Sequence, residues 1–75
     1  MPSLRKSFGA RLRSIRKVRD LSQERFAEML GISVDFLSLI ERGINSPSFD
    51  TLERMAKSLR VHVKDLFDFQ EKRLP

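Results

Sequence analysis

The sequence predicts an all-α domain of five short helices, and three observations carry that reading. Apolar residues recur at three- and four-residue intervals, as in Leu52, Met55, Ala56 and Leu59, rather than alternating as strands would require. The segments between these runs are short, with serine placed before a run and glycine after it. Composition is that of an ordinary globule: 75 residues, 40% hydrophobic and 33% charged, with only 3 Gly and 3 Pro. That excludes a disordered, fibrous or large multidomain chain. One domain is expected over residues 1–75, with a core from about 8 to 67 and a short charged tail at 68–75.

Helix 1 runs from about Leu4 to Arg19, with Phe8, Leu12 and Ile15 as its narrow apolar stripe. It ends at Asp20, a residue type that tolerates the left-handed conformation when glycine is absent. Ser22 caps helix 2, which carries Phe26, Ala27 and Leu30 inward and stops at Gly31. Ser33 caps helix 3, where Leu37 and Ile40 face the core and Gly43 closes the end. A polar loop, Ile44-Asn45-Ser46-Pro47-Ser48, precedes helix 4, for which Ser48 is the cap and Asp50 complements the helix dipole. A short fifth helix is expected at about Val63–Phe67.

Charge is distributed unevenly along these elements. The chain carries +5 overall. Arg5, Lys6, Arg11, Arg13, Arg16, Lys17 and Arg19 crowd the first helix against the single acid Asp20, while the remainder is close to neutral. Such a basic field points to a polyanionic partner. An acid-poor, arginine-containing start also suits a mitochondrial presequence or a basic membrane-surface helix, but the stripe is that of a helix packed on a core. No apolar run approaches the ~18 residues of a membrane span, and no signal-peptide core is present, so a cytoplasmic location without membrane association is expected.

Catalysis has almost no foothold, and the expectation is a non-enzyme without metal or cofactor. There is no Cys, which removes disulfides, thiol chemistry and zinc fingers. The single histidine, His62, stands beside Val61 and Val63 with no second ligand or nucleophile at useful spacing, which makes it a surface or packing residue. Asp65 and Asp68 are explained by solvation, and Gly9, Gly31 and Gly43 lie too far apart for a phosphate-cradling loop.

Helices 2 and 3, joined by a glycine-containing turn of about three residues, have the geometry of a helix-turn-helix, whose second helix enters the DNA major groove. The run Leu21-Ser-Gln-Glu-Arg-Phe-Ala-Glu-Met-Leu-Gly-Ile-Ser-Val-Asp-Phe-Leu-Ser-Leu-Ile-Glu-Arg-Gly43, continuing through Ser46-Pro-Ser-Phe-Asp-Thr-Leu52, carries further detail. It resembles the Cro and phage-repressor-type (XRE) family across about residues 8–67. The hallmarks are Leu-Ser-Gln opening helix 2, Ala27 and Gly31 about the turn, the Leu37-Ser-Leu-Ile-Glu-Arg-Gly43 end of helix 3, and Pro-Ser before helix 4.

The resemblance implies a compact five-helix, lambda-repressor-like domain of a transcriptional regulator, acting as a homodimer on a roughly palindromic double-stranded operator. Its base-reading positions fall on Ser33, Val34, Asp35, Ser38 and Leu39. Its backbone contacts fall on Gln23, Phe36, Arg42, Asn45, Ser46 and Ser48, and Arg16 and Glu41 match its internal salt bridge. The bare residues admit other roles at several of these positions. Asp35 can complement the helix 3 dipole as readily as it can accept from cytosine N4. Ser48 can be a cap alone, and packing is the favoured role of Phe36. Val34 and Leu39 stand where relatives often carry polar groups, so they can meet thymine methyls or a protein partner. Gln23 has a second reason for phosphate contact, because the free N–H groups at the start of helix 2 attract anions.

Leu66, Phe67, Phe69 and Leu74 load the last ten residues with apolar surface, which makes them candidates for a two-fold dimer interface through helix 5 and neighbouring helix 4. Two functions follow: a free-standing repressor or autoregulator, such as a phage repressor or restriction-modification controller, or an antitoxin-like protein acting mainly through a protein partner. The first is favoured.

Overall fold

The computed structural model describes residues 3–69, and these form four α-helices followed by a 3-10 turn. The helices are α1 (Leu4–Val18), α2 (Gln23–Leu30), α3 (Val34–Glu41) and α4 (Phe49–Leu59), with the turn at Val63–Phe67. The described residues contain no strand. The expected fifth helix is therefore not an α-helix. The segment is wound more tightly, with i to i+3 hydrogen bonds such as that from Asp65 N–H to the His62 carbonyl at 2.9 Å. Residues 70–75 of the expected tail, including Leu74, lie outside the described residues.

All four α-helices begin with serine for the same reason. Ser3, Ser22, Ser33 and Ser48 each accept, through the side-chain oxygen, the N–H three residues ahead at 3.0–3.2 Å. Each bond satisfies one of the donors that a helix start leaves free. The Ser3 cap went unread in the sequence because no apolar residue immediately before it marks the start. Helix ends are left-handed at Gly31 (φ 75°) and Gly43 (φ 76°), and also at Asp20 (φ 59°) and Arg60 (φ 60°). A side chain in this region costs ~1–2 kcal/mol, so these two turns hold their shape at the expense of stability.

The core is made from every element: Phe8 and Leu12 of α1, Phe26, Ala27 and Leu30 of α2, Leu37 and Ile40 of α3, Leu52, Met55, Ala56 and Leu59 of α4, and Leu66 of the turn. Gly9 is what lets α1 cross α3. A Cβ there would collide with the backbone carbonyl oxygens of Ile40 and Glu41, so the two helices touch backbone to backbone. Gly43 lies under α1 in the same way, with a Cβ falling 2.6 Å from Lys6 Cγ.

Three cations of α1 hold other parts of the chain. Arg11 Nε donates to the Asp65 carbonyl at 2.9 Å, Arg16 to the Leu21 carbonyl at 3.0 Å, and Arg19 to the Leu59 carbonyl at 2.8 Å. The Leu59 carbonyl is one of those that the end of α4 leaves without a partner within the helix. The basic field of α1 thus includes guanidinium groups fixed by structural bonds as well as exposed charge at Arg5, Lys6, Arg13 and Lys17.

Candidate nucleic-acid interface

The site is built on α3, which is amphipathic with an inverted outer face. Leu37 and Ile40 are fully buried and Phe36 packs beside the core, which turns Val34, Asp35, Ser38, Leu39 and Arg42 to the opposite side. Val34, Asp35 and Arg42 are exposed, while Ser38 and Leu39 are half-buried. Ser33 is exposed at the helix start, its hydroxyl oxygen capping Phe36 N–H at 3.0 Å. All five candidate base-reading residues therefore occur together on one surface, and Phe36 is set inward of it.

What fixes α3 against the rest is a buried polar cluster. Arg16 reaches from α1 and forms a two-pronged pair with Glu41, Nε to Oε2 at 2.8 Å and the second prong to Oε1 at 3.0 Å. The Glu41 side chain is only 3% exposed. Gln23, the first residue of α2, donates to the same Glu41 Oε1 at 3.0 Å. One carboxylate thus joins α1, α2 and α3, and the described residues leave no buried side-chain polar atom without a partner. The Glu41 hydrogen bond is the main cause that raises the Arg16 guanidinium above its ordinary value. The contribution of that shift is fully present below the unfolded arginine pKa and is lost as pH rises through the raised folded value.

Gln23 thus carries a second role that spacing could not reveal. Its position at the α2 start suggested a phosphate donor, but its amide is engaged by Glu41. The loop after α3 is pinned by bonds from the N–H groups of Ile44 and Asn45 to the Leu39 carbonyl at 2.9 and 3.3 Å. Arg42, Asn45, Ser46 and Ser48 are all exposed along this segment. Ser48 is occupied as the α4 cap and also donates to Thr51 Oγ1 at 3.0 Å.

The dimer candidates divide. Leu66 is fully buried and belongs to the core, because the 3-10 turn folds back between α1 and α4. It is not available to a partner. Phe67 packs at the core edge, 5.1 Å from the Phe8 ring, and Phe69 meets Phe67 edge-on at 6.1 Å. Beside Phe67 lies a groove of about 400 Å³ lined by Leu4, Phe8, Pro47, Phe49 and Leu52. Phe49 is 86% exposed and Leu4 64%. Neither was singled out from the sequence, although an aromatic directly after the Ser48 cap, at the margin of the α4 stripe, was a usable signal.

His62 is exposed, and no cluster of metal-ligating side chains occurs among the described residues. No helix among them is long and apolar enough to cross a membrane.

Comparison with known proteins agrees with this architecture. The control protein C.BamHI of Bacillus amyloliquefaciens is 38% identical over 68 residues, spanning 89% of this chain and 84% of that protein. The uncharacterized HTH-type transcriptional regulator Rv0474 of Mycobacterium tuberculosis is 41% identical over 59 residues, and the match covers 79% of this chain but 42% of that longer protein. Among solved structures, the restriction-modification controller C.AhdI of Aeromonas hydrophila superposes with a TM-score of 0.78 at 32% identity, covering 84% of this chain and 96% of the other. The clp gene regulator ClgR of Corynebacterium glutamicum gives 0.81 at 32% identity, covering 92% and 90%. The Helix-turn-helix family HTH_3 matches residues 12–66, and the chain belongs to that family.

Proposed function

We propose that this protein is a small transcriptional regulator that binds double-stranded DNA sequence-specifically, with α3 in the major groove. The observation that carries the reading is the outward face of α3, five side chains held on one surface by the Arg16–Glu41–Gln23 cluster at its back. A reader helix must keep its angle while its outer side chains stay free, and this arrangement does both.

Base contacts are assigned to Ser33, Val34, Asp35, Ser38 and Leu39. Backbone contacts are assigned to Arg42, Asn45, Ser46 and Ser48 and to the start of α2 at Gln23, with Phe36 supporting them from the inner side. Residues 1–75 act as one DNA-binding domain. It works in the cytoplasm as a homodimer on a palindromic operator, presenting two α3 helices about one DNA turn, ~34 Å, apart. The dimer surface is the apolar groove of Leu4, Phe49 and Phe67, with Phe69 beside Phe67, because exposed apolar surface of this kind marks association sites. No enzymatic step is assigned to the chain. The regulators it resembles favour this reading over a purely partner-binding, antitoxin-like role.

Selection from a random duplex pool at near-physiological salt tests the reading. An enriched palindrome with half-sites one turn apart is expected; retention without enrichment overturns it.

A further inference from the structure

Between Val34 and Glu41, α3 contains no Arg, Lys, Asn or Gln. Those are the side chains that pair bidentately with guanine O6 and N7 or adenine N6 and N7. Its two acids are also unequal: Glu41 is committed to Arg16 and Gln23, which leaves Asp35 as the acidic side chain on the outer face of α3. Arg42 lies past the last turn, whereas helix-turn-helix readers touch bases mainly with the N-terminal part of the recognition helix. The outer face therefore offers one carboxylate, the Ser38 hydroxyl, and the methyl groups of exposed Val34 and half-buried Leu39.

Each purine edge conflicts with that set. Guanine presents two acceptors, both repelled by a carboxylate, and adenine sets an N7 acceptor beside its N6 donor and carries no methyl. Pyrimidines fit: cytosine presents an N4 donor and no acceptor of its own, and thymine presents an O4 acceptor that the Ser38 hydroxyl can donate to beside a C5 methyl that apolar side chains favour. We propose that α3 reads the C5 edge of pyrimidines, so that thymine is recognised through its methyl and cytosine is bound more tightly when its C5 carries a methyl. The inference rests on α3 being the reader and names what it reads. A 5-methylcytosine beside Asp35 supplies both things this surface takes, an amino donor for the carboxylate and a methyl for Val34 or Leu39.

The test uses the duplex recovered by selection, with single thymines replaced by deoxyuridine and single cytosines by 5-methyldeoxycytidine, titrated against the full chain by fluorescence anisotropy. Burial of one methyl corresponds to about fourfold in affinity. Deoxyuridine at one or more half-site positions is expected to weaken binding about fourfold, and 5-methyldeoxycytidine at a contacted cytosine to strengthen it similarly. In Val34→Ala or Leu39→Ala the matching difference should vanish, with thermal unfolding showing that the exposed substitution leaves the fold intact. If every base analogue binds within twofold of its parent while the operator is still preferred over random DNA, the methyl readout is wrong and the reader assignment stands. Failure to obtain any preferred duplex overturns both.

Discussion

The α1–α3 crossing and the groove between α1 and α4 use similar apolar residues and are finished in opposite ways. At the crossing, backbones touch at Gly9, and the Glu41 carboxylate is saturated by Arg16 and Gln23. At the groove, Leu4 and Phe49 stand in solvent around about 400 Å³ of open space. The first region has one arrangement only, which is what a helix that must meet base edges requires. The second carries apolar surface that no element among the described residues covers, and apolar surface of this kind marks association sites.

The largest effect should come from breaking the crossing. Glu41→Ala strands a buried guanidinium and should destabilise by ~3–5 kcal/mol in urea unfolding; a loss below ~1 kcal/mol would show that the bridge does not hold α3. Gly9→Ala forces α1 off α3 and should lower stability by ~1–3 kcal/mol, together with operator affinity, because α3 moves with it. At the groove the pattern should reverse. Phe49→Ser should leave monomer unfolding nearly unchanged while shifting the proposed dimer toward monomer in sedimentation, and an unchanged sedimentation profile would remove the groove as the interface. The smallest change is expected at Arg60→Gly. It relieves the left-handed cost of ~1–2 kcal/mol but adds ~0.5–1 kcal/mol of chain entropy, for a net gain of about 0.5 kcal/mol in thermal unfolding.

The contrast also explains what the sequence made legible. Serine caps and apolar spacing are local signals, so α2, α3 and α4 begin where Ser22, Ser33 and Ser48 predict and bury the residues the stripes name. The five-residue segment at Val63–Phe67 carries too little periodicity to separate a 3-10 turn from an α-helix. Leu66 and Phe69 read alike in sequence as apolar tail residues, and only tertiary packing puts Leu66 wholly inside and leaves Phe69 at the surface. Gln23 shows the same limit in the site. Its place at the start of α2 is local, but its bond to a carboxylate 18 residues away is not. Asp20 ends α1 in the left-handed turn that its residue type allows, whereas Arg60 adopts the same conformation with no local signal for it.

The central claim, that α3 reads sequence while the loop after it grips backbone, is tested most directly by titrating operator and random duplex with wild type, Arg42→Ala and Leu39→Ala across a salt series. Arg42→Ala is predicted to weaken both duplexes about equally and to reduce the salt slope by about 1. Leu39→Ala is predicted to lower the preference for operator over random duplex while keeping the slope. If the two substitutions change operator and random binding in the same way, α3 is not the reader.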